Sequence, residues 1–414
     1  MDIKFIRQNP NLVEEGCRKK GVDVDIDEIL KLDQEKREVI IKLENLRAEQ
    51  NKISKKPSET EIIRMKEIKK EVQVLEESLK NLDEALNQLV MLVPNLPLPN
   101  VPEGKKEADN VVLRRVGQKP RFSFKPRDYL ELNKKLDLID VERAGKVSGS
   151  RFGYLKNEAV FLEFGLIQLA FEILTKKGFI PVVPPVMIGE KAMRAMGYLD
   201  RAADEVYYLP QDNLCLVGTS EQSIGPMHMD EILFEKDLPK RYLGFSTCFR
   251  REAGSYGKDV KGIMRVHQFD KVEMFVFCRP EDSEKEHQLL LKCEEELMQA
   301  LKIPYRVVNN CAGQLAAPSA ATYDIETWLP GQNCYRETHS TSNCTDFQAQ
   351  RLNIRFRDKN NKIKFVHTLN GTAFAIGRTI IAILENYQKK DSTIIVPKVL
   401  QKYIKIKEIK PRFK

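Results

Sequence analysis

The sequence predicts an α+β fold: an antiparallel β-sheet flanked by helices, preceded by an N-terminal arm of two antiparallel helices that form a coiled coil. Three observations support this fold class. Apolar residues follow a heptad pattern near the N-terminus, several prolines come directly after it, and from about Arg127 onward strands and helices mix without a βαβ rhythm. The chain of 414 residues is long enough for two domains with a sizeable core.

The second helix of the arm carries the clearest pattern. Its apolar residues alternate spacings of three and four, as the a and d positions of a coiled coil do. These residues are Met65, Ile68, Val72, Leu75, Leu79, Leu82, Leu86, Leu89 and Val93. Ser58 and Glu61 have the spacing of a capping box before this helix, and Pro94 stops it.

The first helix of the arm has a weaker seam. Its apolar positions recur every seven residues at Leu32, Val39, Leu46 and Ile53. Pro57 breaks this helix before the second one begins. The simplest structure is therefore a hairpin of two long helices over about residues 27–93.

A proline-rich segment separates the arm from the rest of the chain. Pro97, Pro99 and Pro102 mark an extended linker, so we expect one domain at residues 1–105 and a second at residues 106–414. The second region contains neither a GxGxxG motif nor a Walker loop, which argues against a Rossmann or P-loop nucleotide site.

Composition narrows the class of protein. A net charge of +8 permits nucleic-acid binding without demonstrating it. The eight cysteines are scattered with no CxxC pair, so neither zinc nor a disulfide framework is expected. The N-terminus lacks an apolar signal region, and no apolar run approaches the roughly 20 residues that span a bilayer. We expect a soluble cytoplasmic protein with no membrane partner.

Basic residues crowd the outer half of the arm, although glutamates share it. They are Arg47, Lys52, Lys55, Lys56, Arg64, Lys66, Lys69 and Lys70. A heptad hairpin is most often a dimerisation or spacer device, whereas a protruding basic tip suits binding to a polyanion backbone, such as RNA recognised by shape. The charge placement favours the second interpretation.

A long hairpin is predicted in the second domain. Apolar, β-prone runs at Arg241–Phe249 and Gln268–Phe277 flank a loop rich in Gly, Ser and Lys. Arg250, at the base of this hairpin, is a fixed cation suited to phosphate or carboxylate. Phe269, on the returning strand, offers a flat face on which a base can stack. The pair suits a nucleoside triphosphate held against a second anionic reactant.

The hairpin carries a resemblance to a known family. Residues 249–255 read FRREAGS and residues 265–273 read RVHQFDKVE, which resembles motif 2 of class II aminoacyl-tRNA synthetases, specifically of seryl-tRNA synthetases. The segment from Gly178–Phe179 to Pro184–Pro185 resembles motif 1, and Thr368–Arg378 resembles motif 3. The resemblance extends over nearly the whole chain, including the arm.

The resemblance implies an activity. Members of this family activate L-serine with ATP to seryl-adenylate and pyrophosphate, and then transfer serine to the 3′-terminal adenosine of tRNA(Ser), and of tRNA(Sec) where the host has it. It also implies a homodimer in which the arm grips the tRNA bound to the other subunit. In this scheme residues 1–105 form a tRNA-binding domain and residues 106–414 the class II catalytic domain.

The resemblance assigns roles to individual residues. The catalytic residues are Arg250 and Arg378. The serine-binding residues are Thr219, Ser220, Glu221, Glu273, Asn370 and Thr372. The ATP-binding residues are Arg250, Arg251, Glu252, Val266, Phe269, Glu337, Thr338, His339, Ser340 and Arg378. Glu337 is the expected Mg²⁺ ligand, and the tRNA-binding residues are Arg47, Lys52, Lys55, Lys56 and Arg64.

Glu273 also has an argument of its own. It lies four residues after Phe269, so both side chains face the same side of a strand. A buried glutamate needs a partner, which the hydroxyl or ammonium group of the substrate supplies. Such a site rejects alanine strongly, because losing the hydroxyl leaves a buried acceptor unpaired, and it rejects threonine more weakly.

Two departures from the family pattern are visible. The family usually has Ile-Ser-Ser after the glutamate at Glu337, and this chain has Thr338, His339 and Ser340. His339 either contacts phosphate or fills space, and the second interpretation is favoured. Thr372 stands where the family commonly has serine, which keeps the hydroxyl and narrows the pocket slightly.

Other interpretations weigh against each motif taken singly. Arg250 alone could be a surface ion pair and Phe269 a core aromatic, and Thr219 to Glu221 could be only a helix cap. For the whole chain, the alternatives are a synthetase-like ligase that loads an amino acid onto a carrier protein and a non-enzymatic coiled-coil RNA-binding protein. The combined spacing of the motifs, together with the arm, favours the seryl-tRNA synthetase.

Overall fold

The computed structural model describes residues 1–52, 58–200, 203–253 and 261–413. Its contacts divide the chain into two compact units, Met1–Leu96 and Pro97–Lys414. Predictions about Ile53, Lys55, Lys56, Pro57, Gly254 and Ser255 fall outside the described residues. The predicted boundary between residues 105 and 106 stays a prediction.

The N-terminal unit is helical. Its helices are α1 (Ile3–Gln8), α2 (Pro10–Lys19), α3 (Ile26–Lys52) and α4 (Glu59–Leu92). Apolar side chains from all four meet in one small core, which includes the fully buried Ile6, Val13 and Ile29. This core fixes the base of the hairpin that α3 and α4 form.

The predicted two-helix arm is confirmed. Lys36 pairs with Asp83 at 2.5 Å, and Arg47 pairs with Glu76 at 2.8 Å, so residues later in α3 lie beside residues earlier in α4. The helices are therefore antiparallel. In the seam, Ile68 is fully buried, as the heptad pattern requires.

The start of α4 is capped as predicted. The Ser58 hydroxyl accepts a hydrogen bond from the Glu61 N–H at 3.3 Å, and the Glu61 carboxylate accepts one from the Ser58 N–H at 2.7 Å. This reciprocal arrangement satisfies backbone donors that a helix start otherwise leaves unpaired.

The C-terminal unit is built on an eight-stranded sheet. Its strands are β1 (Val111–Val116), β2 (Ile180–Val182), β3 (Lys240–Phe249), β4 (Gln268–Cys278), β5 (Tyr305–Asn309), β6 (Ala321–Leu329), β7 (Cys334–Asn343) and β8 (His367–Ala375). The spatial order is β1-β5-β6-β7-β8-β4-β3-β2. Every neighbouring pair is antiparallel except β2 with β3. This confirms the predicted sheet class.

Helices and short strands complete this unit. The helices are α5 (Tyr129–Leu136), α6 (Val141–Ser148), α7 (Glu158–Thr175), α8 (Glu190–Ala195), α9 (Glu221–Ile224), α10 (Ser283–Leu301), α11 (Phe347–Leu352), α12 (Ile376–Asn386) and α13 (Lys398–Ile404). The short strands pair as Ile232–Phe234 with Arg355–Arg357 and Ile363–Phe365, Met187–Gly189 with Leu214–Leu216 and Tyr208–Leu209, Ile394–Ile395 with Glu408–Ile409, and Ile139–Asp140 with Tyr154–Leu155. None of the described helices is long and apolar enough to cross a membrane.

The main sheet separates a core from a cavity. On β4, Val272, Met274 and Val276 are fully buried in the apolar core that α7, α10 and α12 share. Phe269 and Glu273 alternate with them and face the other side of the sheet, because side chains in a strand point to opposite faces in turn. One face of β4 therefore packs in the apolar core, and the other face lines the cavity.

Candidate active site

A cavity of about 640 Å³ lies on the open face of the sheet. Side chains from β4, β7, β8 and α12, together with the segments around Thr219 and Arg250, line it. The predicted residues that line it are Thr219, Glu221, Arg250, Glu252, Val266, Phe269, Glu273, Glu337, Thr338, Ser340, Asn370, Thr372 and Arg378. Residues predicted from separate motifs therefore meet in one place.

The hairpin that carries motif 2 has the predicted strands. Strand β3 ends at Phe249, which pairs with Gln268 at the start of β4. Just beyond the paired region, the Arg250 N–H donates to the carbonyl of His267 at 3.0 Å. The backbone of Arg250 is therefore anchored where the two strands separate.

Arg250 and Phe269 lie side by side. The guanidinium carbon of Arg250 is 5.3 Å from the centre of the Phe269 ring, and its Nε donates to the Gly218 carbonyl at 3.1 Å. One hydrogen bond and one cation–π contact thus orient the guanidinium of Arg250, which lines the cavity. This geometry matches a group that holds an anion beside a stacked base.

Glu252 and Arg265 form the rim near this pair. Arg265 Nη1 is 3.2 Å from the Glu252 carboxylate, and Arg151 donates to the Glu252 carbonyl at 2.9 Å. The backbone of Glu252 is left-handed, with φ of 50°. The neighbouring Val266 is 6% exposed and adds an apolar wall.

A buried ion pair lies deeper in the cavity. Lys271 Nζ is 2.7 Å from the Glu273 carboxylate, and their side chains are 7% and 1% exposed. Burial raises the pKa of Glu273 to about 7, and the Glu221 carboxylate adds to the rise while Lys271 opposes it. Glu273 therefore titrates close to neutral pH.

Glu221 begins the short helix α9 and points into the same region. The Glu221 carboxylate accepts a hydrogen bond from the Tyr198 hydroxyl, and Glu221 is 4% exposed. Burial and this carboxylate both raise the pKa of Tyr198, so the phenol stays protonated and donates. The Thr219 hydroxyl lies 3.5 Å from the Glu221 N–H, which fits the cap interpretation and the pocket interpretation together.

Asn370 and Thr372 lie on β8 beside β4. In the sheet register Thr372 pairs with Glu273, which brings motif 3 and motif 2 together. Strand β8 continues through Gly371 to Ala375, and a Cβ atom at Gly371 would lie 3.1 to 3.3 Å from side-chain atoms of Thr341, Glu294 and Met274.

Charged groups from β7 and α12 meet at the other end of the cavity. Arg378 Nη1 donates to the Glu337 carbonyl at 3.0 Å and lies 3.2 Å from the Glu337 carboxylate. A second cavity of about 380 Å³ shares Glu337, Ser340 and Arg378 with the first. Burial raises the pKa of Asp324, which also lines this second cavity, to about 7, and the Glu337 carboxylate adds to the rise.

Three predicted site residues lie outside the cavity lining. Ser220 is fully buried and faces Gly244 of β3, and Arg251 is exposed over the Tyr207 ring at 5.6 Å. His339 is fully buried on the opposite side of β7, where its Nδ1 is 2.8 Å from the Thr338 hydroxyl and its ring packs on Phe374. Burial lowers the pKa of His339 to about 3, so it is neutral.

The position of His339 corrects its assignment to the ATP site. Thr338 and Ser340 line the cavity, and strand alternation turns His339 away from it. The interpretation that His339 fills space accounts for its contacts.

The arm residues predicted to bind tRNA differ in their surroundings. Arg47 pairs with Glu76 at 2.8 Å, and Arg64 pairs with Glu49 at 2.8 Å, so both also link α3 to α4. Lys52 is exposed at the end of α3. Exposed ion pairs contribute little to stability, and these arginines can exchange partners with a polyanion.

Sequence reasoning missed Lys271 and Tyr198. Lys271 lies between Phe269 and Glu273 on the same strand face, so the period of two that linked those residues already included it. Tyr198 follows α8 and is distant in sequence from every motif, so only the fold places it against Glu221.

The chain is similar to known proteins over its full length. Residues 1–97 match the seryl-tRNA synthetase N-terminal domain, and residues 207–387 match the class II tRNA synthetase core domain (G, H, P, S and T). The chain is 44% identical to the serine–tRNA ligase of Dictyoglomus turgidum over 423 residues, covering 100% of both chains. It is 46% identical to that of Dictyoglomus thermophilum, again over the full length of both.

The chain belongs to the seryl-tRNA synthetase family. Its enzyme class is that of the serine–tRNA ligases, which are class II aminoacyl-tRNA synthetases.

Solved structures agree. The seryl-tRNA synthetase of Pyrococcus horikoshii complexed with ATP superimposes with a TM-score of 0.94 at 43% identity, covering 99% of both chains. The cytoplasmic enzyme of Naegleria fowleri in complex with AMP gives 0.90 at 33% identity, also covering 99% of both. A prolyl-tRNA synthetase of Giardia lamblia, at 17% identity and a TM-score of 0.59, covers 68% of this chain and 57% of its own, and shares the fold alone.

Proposed function

We propose that the candidate active site activates L-serine with ATP and transfers the seryl group to the 3′-terminal adenosine of tRNA(Ser). The observation that carries the proposal is the position of Arg250, fixed beside Phe269 and in the same cavity as Glu221 and Glu273. One cavity thus offers a cation for two anions, a face for a base, and carboxylates for an ammonium group.

ATP binds with its adenine on Phe269 and its phosphates toward Arg378. Arg250 lies between the serine carboxylate and the α-phosphate, where it reduces their repulsion and aligns the attack. The carboxylate oxygen forms the bond to phosphorus, and the bond to pyrophosphate breaks. No side chain has to move a proton in this step, so the chemistry rests on position and charge.

Mg²⁺ fits the donor groups at the phosphate end. The Glu337 side chain is 51% exposed, and Ser340 and Asp324 add oxygen donors in the adjoining cavity. Among the described residues, no group of three or more His, Cys, Asp or Glu side chains is placed to hold a metal ion. Glu337 would hold such an ion together with phosphate oxygens and water, and a bound ion would neutralise phosphate charge.

Serine binds at the deeper end. Glu221 and Glu273 accept from its ammonium and hydroxyl groups, while Asn370 and Thr372 close the pocket from β8. Lys271 pairs with Glu273 and opposes the rise in the Glu273 pKa that burial causes. Since these groups are almost fully buried, a substrate that lacks a hydroxyl leaves one of them unpaired.

The tRNA and the second subunit complete the proposal. The basic residues of the arm bind the tRNA backbone, and tRNA(Sec) is a further substrate where the host has it. The active form is a homodimer, because the apolar side chains of Phe161 and Phe164 on α7 are 52% and 57% exposed next to the segment that resembles motif 1. We place the enzyme in the cytoplasm, where its substrates are.

Two assays separate this proposal from its alternatives. Serine-dependent exchange of pyrophosphate into ATP reports adenylate formation, and charging of a tRNA(Ser) transcript reports transfer. Both should occur. Exchange without charging would favour a ligase for a carrier protein. If neither reaction occurs, the result would favour an RNA-binding protein without enzymatic activity.

A further inference from the structure

Helix α10 presents a row of buried polar side chains to the underside of the active-site strands. Ser283, His287 and Glu294 lie on one helical face, since eleven residues are close to three turns. The exposed fractions of these residues are 5%, 0% and 0%. The Ser283 hydroxyl donates to the Asn343 side chain at 3.0 Å, and His287 Nε2 lies 3.0 Å from the Thr341 carbonyl.

Glu294 differs from the other two. Among the described residues neither of its carboxyl oxygens has a hydrogen-bond partner of normal geometry. Burial raises the pKa of Glu294 well above its ordinary value, and Glu273 and Asp324 add to the rise, while the nearby Thr372 amide opposes it. A carboxylate here would also repel Glu273, so the uncharged form is the one that fits the site.

The place of Glu294 is set by Gly371. A Cβ atom at Gly371 would lie 3.3 Å from Glu294 Oε1 and 3.1 Å from the Thr341 hydroxyl. The carboxyl group therefore contacts the backbone of β8 directly. Asn370 and Thr372, on either side of Gly371, both line the cavity on the opposite face.

We infer that Glu294 is a positioning residue for the serine pocket: its carboxyl group packs against Gly371 on the core side of β8 and so sets the positions of the Asn370 and Thr372 side chains. The inference rests on the proposed function, because it assumes that these two side chains contact serine. Glu294 touches no substrate itself and acts only through the strand.

The inference predicts that serine binding depends on the shape of the side chain at position 294 and not on its charge. Glu294→Gln keeps the shape without a charge, so the KM for serine should change less than about twofold. Glu294→Ala removes the support, and small misplacements of binding groups reduce activity strongly, so the KM for serine should rise about tenfold. The KM for ATP should stay within about twofold in both variants, because Phe269 and Glu337 lie on β4 and β7, and Arg378 lies on α12 beyond the end of β8.

Glu295→Gln is the matched control. The neighbouring carboxylate is paired with Arg114 of β1 at 2.6 Å, away from the cavity, so its replacement should leave the KM for serine unchanged even if it lowers the melting temperature. Pyrophosphate exchange with varied serine and varied ATP, together with thermal unfolding, gives all the readouts.

The outcomes distinguish this inference from the proposed function. If the unsubstituted enzyme shows no serine-dependent exchange, the proposed function fails. If it is active but Glu294→Gln behaves like Glu294→Ala, or if Glu294→Ala raises both KM values equally, the inference fails. Should Glu294→Ala not fold, Gly371→Ala tests the same contact from the strand, and an unchanged KM for serine would overturn the inference.

Discussion

Arg250 is the residue on which the chemistry depends most. Among the described residues its guanidinium contacts one backbone carbonyl and one aromatic ring, and it lines the cavity in which we propose that the substrates bind. Arg250→Ala should lower serine-dependent pyrophosphate exchange by about 10²-fold or more, as the loss of a positioned charge does at other active sites. Arg250→Lys should recover only part of this loss, because an ammonium group lacks the planar fork.

Arg357→Ala is a suitable control for that experiment. Arg357 lies in a short strand outside the cavity, where its Nη1 donates to Asn361 at 2.9 Å. Both alanine variants should bind tRNA normally. Exchange that is unaffected by Arg250→Ala would remove Arg250 from its assigned role.

Glu273 should make serine binding depend on pH. Its pKa is raised from 4.5 to about 7, so the carboxyl group becomes protonated as the pH falls through this value. Protonation removes the charge that attracts the serine ammonium group, and kcat/KM for serine should therefore decrease below about pH 7 and level off above it. In Glu273→Gln the decrease attributable to this group should disappear, along with most of the activity. A pH profile of kcat/KM that is the same in both proteins would contradict the assignment.

Most residues predicted from contiguous motifs lie together in one cavity. Motifs 2 and 3 and the segment at Glu337 are short runs whose side chains meet through the sheet register. Tyr198 and Glu294 could not be predicted in this way, since each acts through a long-range contact from a helical region. His339 was placed with the ATP residues by its position in a motif, and strand alternation turns it into the core.

Among the elements, the arm was the most predictable and the sheet order the least. Heptad spacing and a capping box are local signals, and α4 begins and ends close to the predicted positions. The place of β1 at the sheet edge beside β5 is a pairing across most of the domain, and no local pattern encodes it.

Adenylate formation should not require the arm, whereas tRNA charging should. Because Lys36 lies opposite Asp83, residues 37–82 can be replaced by a short Gly-Ser turn that leaves the small core at the base of the hairpin intact. This variant should keep full serine-dependent exchange and lose most tRNA charging. Filter binding at several salt concentrations should show a weaker salt dependence of tRNA affinity, since fewer phosphates are neutralised. Normal charging by the shortened protein would mean that the arm is only structural.

For the whole molecule, the exposed apolar surface of α7 predicts the assembly state. Replacing both Phe161 and Phe164 with Ser should convert a dimer into monomers, measured by analytical ultracentrifugation. Phe234→Ser is the control, because Phe234 is also exposed, at 60%, but lies in the short strand that pairs with Arg355–Arg357 and not on α7. A double variant that stays dimeric, or an unsubstituted protein that is already monomeric, would contradict this prediction.

The central claim is that one cavity recognises serine and activates it with ATP. The most direct test is pyrophosphate exchange by the purified protein with serine, threonine or alanine as the only amino acid. We expect efficient exchange with serine, weaker exchange with threonine, and exchange with alanine reduced on the order of 10⁴-fold, because alanine leaves a buried acceptor unpaired. Equal exchange with all three amino acids, or none with serine, would contradict the claim.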